Sequence, residues 1–593
     1  MAKIQFPLEC LNGNPNLGES QILDFLKQNL DDSYEVYFKP NFNIDTPDIV
    51  LIRESGGILL INVCNTSTLN DRSKKHPTFR LKNYKENLIN LHIPNLLQYT
   101  YKDVNYKSII SCLLFIYCDN NDSKLSFNNY SADIDIFTES NLNKESFDLF
   151  LESRKISGSN SYFKNEFYNC LKNYLKPKFH SLNEGKEVHF TKRQYELVVS
   201  KQGDQKIQGI VGSGKTLVLA HRAVNAHKRT DEKVLILTYN YSLKDYIKNN
   251  ISEVKEDFNW QYFHISNFHD FINSVTNNLS LKITLPSNFK ELNSVEKKNY
   301  IEELYYGNQS VLRGFVNEID KYSTILIDEV QDYKTSWLRL VKDCFLQEKG
   351  EFVVFGDSKQ DIYNRVHFIN NKKELVIPNS IGRWNLLNKS FRLTPTITAF
   401  ASSYQQHILS SKHIIDSFEN VDFQVSLFDK VHYRFFRQLN YEQVADFIHS
   451  YLTITKANLN DTCVLSTSVE IIRNIDFNYR MRSKNKSYIM SETEEVFQKL
   501  KSDDSELKKI RKNKKNNFQV NSGLIKFSTI HSYKGWEAKT LFLIVNHYES
   551  LKDVYQELIY TGFTRCSNNL VILNINDNIL DDFVNDLEYV EHV

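Results

Sequence analysis

The sequence predicts an α/β fold, because short apolar strands alternate with helix-like segments and end in glycine or polar residues. The first strand and helix of this kind are residues 207–209 and 217–224, joined by a glycine-rich turn. Further apolar strands at 234–238, 324–327 and 352–355 each end in polar or charged residues. Parallel strands present their carboxyl ends at one edge of a sheet, where ligands bind in such folds. The sequence therefore places a candidate site at that edge.

The turn after the first strand spells G-x-x-x-x-G-K-T over residues 209–216. Between a strand and a helix, such a turn points backbone N–H groups at a β-phosphate, and the helix N-terminus adds partial positive charge. The lysine reaches the β- and γ-phosphates, and the Thr216 hydroxyl binds Mg²⁺. A glycine turn that matches by chance is the alternative. The residues predicted to bind ATP here are Gly209, Gly212, Ser213, Gly214, Lys215 and Thr216.

The composition is that of an ordinary globular protein: of 593 residues, 41% are hydrophobic and 24% are charged. At about 150 residues per domain, the chain holds roughly four domain-sized units. The formal net charge is +1, so contacts with nucleic acid have to come from local patches. There is no run of 18 apolar residues, no signal-peptide core and no common zinc spacing among the eight cysteines. We therefore expect a cytoplasmic protein without a membrane partner.

The first third of the chain predicts a helix followed by three strands. Residues 18–30 have helical periodicity, and strands are predicted at 34–38, 48–52 and 58–63. This order, with Asp48 leading into a hydrophobic strand, resembles the nuclease-related domain of the PD-(D/E)xK type. The resemblance covers about 100 residues and implies an α/β nuclease-like domain.

In that family an Asp and a Glu hold the metal, and a Lys two residues after the Glu stabilises the attacking water. Asp48 matches the first carboxylate, and Glu19 matches an upstream acid. The E-x-K positions read Asn62-Val63-Cys64, and neither a neutral amide nor a thiol supplies that chemistry. We therefore expect residues 1–125 to form a nuclease-like domain without nuclease activity.

Two alternatives remain for this part of the chain. In the first, the active centre lies elsewhere and uses, for example, Lys74 or Lys75. In the second, the resemblance to the nuclease family is mistaken. Residues 126–185 contain mixed polar helices and are predicted to form a helical connector.

Beyond the phosphate-binding turn, polar residues follow several strands in positions suited to nucleotide chemistry. Asp328 would hold Mg²⁺ and Glu329 would polarise the attacking water, since both follow a buried strand. Gln360, after the next strand, would sense the γ-phosphate. Gln194 precedes the turn, and its amide offers a donor and an acceptor to the edge of adenine.

Candidates for the other side of the nucleotide come from the C-terminal half. Phe391 offers a ring to stack on adenine, and Arg392 and Arg565 are candidate arginine fingers. The carboxylate of Glu537 suits a ribose hydroxyl. The predicted catalytic residues are Lys215, Glu329, Gln360, Arg392 and Arg565.

Together these segments resemble the UvrD/Rep branch of superfamily 1 helicases over residues 186–575, because seven motifs occur in the same order. The resemblance implies two RecA-like P-loop domains that bind ATP and Mg²⁺ between them and move 3′→5′ along single-stranded DNA. The first domain is predicted at 186–390, with a small insertion at about 255–315. The second is predicted at 391–593, with a reduced accessory insertion at about 468–524. The resemblance also suggests DNA repair or defence against phage as the context.

Two segments bear on nucleic-acid binding. Residues 264–269 lie where this architecture usually meets a nucleic-acid backbone, or they are ordinary core aromatics. Residues 364–368 read Asn-Arg-Val-His-Phe, where relatives carry a Trp that stacks on DNA bases. The affinity for DNA should therefore be lower unless His367 or Phe368 takes over the stacking role of the Trp. Because little chain remains for an accessory subdomain, translocation is a safer prediction than processive unwinding.

The basic run at 508–515 either contacts nucleic-acid phosphates or forms a solvated loop. The leading hypothesis is an ATP-dependent DNA translocase or helicase whose N-terminal domain binds DNA or a protein partner. A nuclease–helicase fusion that cuts is the second. The third is a nucleotide-gated interaction protein that controls a partner. RNA as the track is less favoured, because the Asp-Glu-Val-Gln-Asp motif resembles that of the DNA-tracking branch.

Overall fold

The computed structural model describes fourteen stretches of the chain, in which three sheet-based units are present. We call them the N-terminal unit (up to residue 176), the first lobe (179–387) and the second lobe (388–593). The predicted α/β class is confirmed. None of the helices in the described stretches is long and apolar enough to cross a membrane. The described residues are 3–5, 15–40, 42, 45–66, 75–117, 133–176, 179–282, 285–365, 367–369, 372–374, 383–416, 429–518, 522–546 and 554–593.

The N-terminal sheet has six strands in sequence order, with antiparallel pairing on both sides of the third strand and parallel pairing elsewhere. Side chains alternate between its two covered faces: Leu60 packs on one face, and Leu59 and Ile61 on the other. The strands are Lys3–Gln5, Tyr34–Phe38, Ile49–Arg53, Gly57–Asn65, Ile110–Tyr117 and Ile134–Thr138. The helices are Leu17–Asn29, Pro77–Asn87, Leu88–His92, Leu96–Lys102, Val104–Ile109, Lys144–Ser153 and Asn165–Leu175.

Residues 133–175 pack with this unit, whereas the sequence predicted a separate connector at 126–185. Ile134–Thr138 pairs in parallel with Ile110–Tyr117 as the last strand of the sheet. The helices that follow bury apolar side chains such as Phe167 in the same core. These helices are amphipathic, so their polar faces resembled those of a solvated linker.

The first lobe is a six-stranded parallel sheet with helices on both faces. Leu235 and Leu237 pack on one face and Ile236 on the other, as expected for a strand buried on both sides. In sheet order the strands are Phe263–Asn267, Val234–Thr238, Tyr322–Ile327, Leu346–Gly356, Gly203–Gly209 and Asn385–Leu387. The helices are Lys192–Val198, Lys215–Thr230, Leu243–Ser252, Phe268–Asn278, Ser294–Tyr300, Ile301–Tyr305, Gln309–Arg313 and Thr335–Phe345.

The second lobe is a seven-stranded parallel sheet, also covered on both faces. In sheet order the strands are Ser487–Ile489, Ile525–Thr529, Thr462–Ser466, Ala538–Asn546, Cys566–Ile575, Lys430–Phe436 and Val590–His592. The helices are Pro395–Tyr404, Gln405–Leu409, Tyr441–Thr455, Val469–Ser483, Glu494–Leu500, Asp504–Asn516, Ile530–Tyr533, Tyr555–Phe563 and Asn578–Asn585.

Each predicted insertion contributes a strand to the sheet of its own lobe. The interval 255–315 contains Phe263–Asn267, the edge strand of the first sheet. The interval 468–524 contains Ser487–Ile489, the edge strand of the second sheet. The chain left for insertions outside these two sheets is therefore shorter than either predicted interval.

A buried ion pair fixes the strand Leu346–Gly356 to the helix Lys215–Thr230. The side chains of Arg222 and Glu351 are fully buried and pair at 2.6 Å, and Arg229 lies 3.0 Å from the same carboxylate. We expect Glu351→Ala to lower the free energy of unfolding by about 3–5 kcal/mol, because it leaves a buried guanidinium without its counter-ion. Denaturant titration measures this loss.

The matched control is Glu253→Ala, which removes an exposed carboxylate paired with Lys186 at 2.6 Å. Exposed pairs contribute little, so this variant should change the free energy of unfolding by at most about 1 kcal/mol. Equal losses in the two variants would show that burial does not set the strength of the Arg222–Glu351 pair.

Candidate functional site

The phosphate-binding turn lies between the strand Gly203–Gly209 and the helix Lys215–Thr230. Gly212 and Gly214 have φ angles of +71° and +80°, the left-handed conformation that favours glycine. A Cβ on Gly212 would lie 2.6 Å from Cβ of Arg392. The turn therefore has no room for a side chain at Gly212, where it lies against the start of the second lobe.

The side chains of the turn fit a Mg²⁺-nucleotide. Lys215 Nζ donates hydrogen bonds to the carbonyl oxygens of Gly209 and of the next residue, at 2.9 and 3.3 Å. The Thr216 hydroxyl lies 3.4 Å from Asp328 Oδ2, and hydroxyl and carboxylate oxygens are ligands that Mg²⁺ accepts. The buried Ser213 hydroxyl has no hydrogen-bond partner among the described residues. The turn thus holds an ammonium, a candidate metal ligand in Thr216 and an unsatisfied buried hydroxyl, and Asp328 lies beside it as a second candidate ligand.

Asp328 and Glu329 follow the strand Tyr322–Ile327, and both are buried. Glu329 has φ of +52°, and its N–H donates to Asp328 Oδ1 at 3.0 Å. Burial, together with the charge of Glu329, raises the pKa of Asp328 to about 7. Burial also opposes ionisation of Glu329, but nearby cations lower its pKa below the usual range. Glu329 is therefore a carboxylate able to accept a proton. The cations that act on it are Lys534, Lys215 and Arg565.

Lys534 of the second lobe reaches into the first lobe, and its side chain is only 1% exposed. Its Nζ donates to both carboxylate oxygens of Asp332 at 2.7 and 2.8 Å and to the carbonyl oxygen of Gln360 at 2.8 Å. It lies 3.8 Å from Glu329 Oε2. Sequence analysis gave Lys534 no role. The sequence offers one signal for a special role of Lys534, the glycine that follows it. In the structure Gly535 has a φ of +96°, which favours glycine.

The predicted sensor Gln360 and the predicted finger Arg565 are in contact. Gln360 Nε2 donates to Asp357 Oδ2 at 2.8 Å, and its Oε1 accepts a hydrogen bond from Arg565 Nη2. Burial, with the nearby charge of Arg392, lowers the pKa of Arg565 to about 10. The guanidinium is therefore still cationic at neutral pH, and it connects the second lobe to the carboxyl edge of the first sheet.

Arg392 and Phe391 border the phosphate-binding turn. The Phe391 N–H donates to the Gly212 carbonyl oxygen at 2.9 Å, and its side chain is 40% exposed. Arg392 Nε donates to Glu537 Oε2 at 2.6 Å. Glu537, predicted for a ribose hydroxyl, is thus the ion-pair partner of Arg392 here. The roles of these three side chains toward a nucleotide stay predictions.

The amide of Gln194 is engaged within the protein. Its Oε1 accepts hydrogen bonds from the N–H and the hydroxyl of Thr191, at 3.0 and 3.2 Å, and its Nε2 donates to the Ser213 carbonyl oxygen at 3.1 Å. These contacts cap the helix Lys192–Val198 and hold it on the phosphate-binding turn. Recognition of adenine by Gln194 stays a prediction.

Residues 264–268 are buried in the first lobe and His269 is partly buried. His264 Nδ1 lies 2.8 Å from the Tyr322 hydroxyl. His269 packs edge-on against Trp337 with ring centroids 5.1 Å apart, and burial lowers the pKa of His269 to about 3. These contacts favour the alternative of core aromatics over a surface for a nucleic-acid backbone.

Arg365 belongs to the segment 364–368, in which the sequence has no counterpart of the Trp that stacks on DNA bases. Its guanidinium carbon is 4.7 Å from the ring centroid of Trp337 and 4.8 Å from that of Tyr239. Arg365 thus places a cation, and not an aromatic side chain, over these rings. The proposed substitutes, His367 and Phe368, lie in a short strand, His367–Ile369, of which only the backbone is described.

Each of the two carboxylates predicted for a nuclease-like centre has a protein cation as partner. Asp48 Oδ1 lies 3.7 Å from Arg80 Nη2, and Asp48 Oδ2 accepts a hydrogen bond from the Val63 N–H at 2.8 Å. Glu19 pairs with Lys39 at 2.9 Å. In the stretches that the structure describes, no group of three or more His, Cys, Asp or Glu is placed to hold a metal. Of the alternative lysines, Lys74 lies outside the described residues. The backbone N–H of Lys75 donates to Ser280 of the first lobe.

The basic run at 508–515 belongs to the helix Asp504–Asn516, so the predicted loop is wrong. Some of its basic side chains form ion pairs with acidic residues one turn away on the same helix. Others form ion pairs with acidic residues of other segments. The predicted phosphate contacts therefore compete with partners inside the protein. The pairs are Lys508–Asp504 at 2.5 Å, Lys509–Glu506 at 2.6 Å, Arg511–Glu492 at 2.6 Å and Lys512–Asp270 at 2.7 Å.

Comparison with known families supports a nucleotide-binding protein. The model of a family described as AAA domain matches residues 196–365. This domain is found in UvrD/Rep-like superfamily 1 helicases, and the match indicates that the chain carries a P-loop nucleotide-binding domain. The match includes the phosphate-binding turn, Asp328, Glu329 and Gln360. No curated protein matches the sequence.

Proposed function

We propose that this protein is an ATP-dependent DNA translocase or helicase of the UvrD/Rep type, acting in the cytoplasm on single-stranded or partly duplex DNA. The observation that carries the proposal is the contact of Arg565 and Lys534 with the carboxyl edge of the first sheet, beside Glu329. A P-loop sheet met by cations from a second parallel sheet is the arrangement that a two-lobed motor needs. We propose that residues 186–390 and 391–593 are its RecA-like domains.

The first lobe binds the nucleotide and activates water. Lys215 and the backbone of the turn bind the β- and γ-phosphates, and Thr216 and Asp328 hold the metal. Bound Mg²⁺ neutralises charge on the phosphate oxygens. Glu329 polarises the attacking water and accepts its proton, since its lowered pKa keeps it ionised.

The second lobe stabilises the transition state and responds to hydrolysis. Arg392 and Arg565 stabilise the charge that develops on the transferred γ-phosphoryl group. The side-chain amide of Gln360 accepts a hydrogen bond from Arg565. Through this amide, the presence or absence of the γ-phosphate affects the position of the second lobe. After hydrolysis, release of the phosphate removes negative charge that attracts these cations. The lobes then change their relative position, and repetition moves the protein along a strand.

The test is ATPase turnover measured side by side with single-stranded DNA, duplex DNA and RNA. We expect single-stranded DNA to raise the turnover and RNA to raise it less. Absence of stimulation by every nucleic acid would overturn the proposal. Tight, ATP-dependent binding of a protein partner in that case would favour a nucleotide-gated interaction protein.

The N-terminal unit is expected to contribute no nuclease activity. Arg80 and Lys39 neutralise the carboxylates that would hold a metal, so Asp48→Asn should change neither DNA integrity nor the ATPase rate. The measurement is the length of labelled single-stranded and duplex DNA after incubation with the full chain in Mg²⁺ or Mn²⁺. Metal-dependent degradation that is lost in Asp48→Asn would contradict this expectation and support a nuclease–helicase fusion.

A further inference from the structure

The helix Asp504–Asn516, here called the bridging helix, contacts all three units of the described chain. It is fixed to its own lobe through Arg511, which makes two hydrogen bonds of 2.6 Å to the Glu492 carboxylate. Glu492 is buried and also accepts a hydrogen bond from Arg473 at 3.1 Å. The bridging helix therefore moves with the second lobe.

The bridging helix reaches the first lobe through Lys512. Lys512 Nζ lies 2.7 Å from Asp270 Oδ1 and 5.0 Å from the ring centroid of Tyr241. Asp270 lies in the first turn of the helix Phe268–Asn278, where the helix dipole favours a carboxylate. This ion pair joins the lobes through residues other than those of the nucleotide site.

The N-terminal unit contacts the bridging helix at two points. The Tyr101 hydroxyl donates to Glu506 Oε2 at 2.5 Å. Asn513 Nδ2 donates to the carbonyl oxygen of Asn90 at 3.3 Å, and Asn513 is buried. Both partners on the N-terminal unit lie in its helical segments at 88–109.

The N-terminal unit also holds the far end of the helix Phe268–Asn278. The Tyr84 hydroxyl donates to Asn278 Oδ1 and Asn83 Nδ2 donates to Asn277 Oδ1, both at 2.8 Å. This helix of the first lobe is thus held at its start by Lys512 and at its end by the N-terminal unit. The contacts form a closed loop through all three units.

We infer that the N-terminal unit and the bridging helix form an intramolecular clamp that restrains the second lobe and slows nucleotide turnover until it is released. Besides the contacts at the nucleotide site, a change in the relative position of the lobes must break the Lys512–Asp270 pair. It must also loosen the hold of the N-terminal unit on the bridging helix or on the helix Phe268–Asn278. The pair is partly exposed, with side-chain exposures of 35% and 16%, so it is weak enough to open reversibly. This inference rests on the proposed function.

The test compares Lys512→Gln with Lys508→Gln. Both variants remove one ammonium from the same helix. In the described part of the chain, however, Lys508 forms its ion pair with Asp504 of the same helix, and both of these side chains are about 70% exposed. We expect Lys512→Gln to raise the ATPase rate without nucleic acid by about two- to fivefold, and Lys508→Gln to leave it unchanged.

A charge swap excludes a nonspecific effect of Lys512→Gln. Asp270→Lys and Lys512→Glu should each raise the basal rate, and the double variant should return it toward that of the parent protein, because the swap restores the pair. A parental rate in Lys512→Gln, or a double variant as fast as the singles, would overturn the clamp.

Hydrogen exchange separates the clamp from the proposed function. In Lys512→Gln, amides of both Phe268–Asn278 and Asp504–Asn516 should exchange faster than in the parent, whether or not the protein hydrolyses ATP. If the parent protein has no ATPase activity but this exchange difference is present, the proposed function is overturned and the restraint by the clamp is not. Unchanged exchange in both helices overturns the clamp.

Discussion

Glu329→Gln is expected to lower the ATPase turnover by about 10²–10⁴-fold, the usual contribution of a general base. The amide keeps the size of the side chain and its contact with Gln331, but it cannot accept the proton of the attacking water. Asp328 and Lys215, which would bind the metal and phosphates, are unchanged. Affinity for ATP with Mg²⁺ should therefore stay within a few fold of the parent value.

The measurements are kcat with saturating single-stranded DNA and the affinity of a fluorescent ATP analogue. The matched control is Glu303→Gln, which alters a carboxylate that is 66% exposed on the same lobe and should leave kcat unchanged. If Glu329→Gln turned over ATP at the parental rate, Glu329 would not be the base.

Arg565→Ala should lower kcat by about 10³–10⁵-fold, the range for an arginine finger. The guanidinium is buried beside Gln360 and Glu329, where charge on a reacting phosphate is poorly screened by water. Its removal also leaves Gln360 Oε1 without its donor. The loss should appear in kcat rather than in KM, because the finger acts mainly on charge that develops in the transition state.

Arg565→Lys tests the geometry apart from the charge. An ammonium lacks the planar fork of donors, so this variant should recover only part of the lost rate. Arg482→Ala, which removes a guanidinium 63% exposed on the same lobe, is the control and should have the parental kcat. A KM effect with unchanged kcat would place Arg565 in ground-state binding instead.

The elements that follow from local pattern were predicted well. The helix expected at 18–30 is Leu17–Asn29, and the strand expected at 34–38 is Tyr34–Phe38. Burial on both faces makes central strands such as Val234–Thr238 and Tyr322–Ile327 largely apolar, so these strands are recognisable without knowledge of their neighbours. The phosphate-binding turn was equally clear, because its glycines are required by left-handed backbone angles.

What the sequence did not reveal depends on partners far away along the chain. Lys534 is one of many lysines until the fold brings it to Asp332, 202 residues earlier. The strand Ile134–Thr138 is short and joins the N-terminal sheet only through pairing with Ile110–Tyr117. The basic run resembled a nucleic-acid contact because charge alone does not show whether a carboxylate such as Asp270 faces it.

The bond between Phe391 N–H and the Gly212 carbonyl oxygen has a consequence for how the lobes can move. The chain crosses from one lobe to the other just here, after the strand Asn385–Leu387, and at 2.9 Å the two backbones are already at the usual distance of an N–H···O hydrogen bond. The two halves cannot approach further at this point. Any tightening around a nucleotide must therefore be a rotation about this crossing, with the largest displacements at the parts of the second lobe farthest from it.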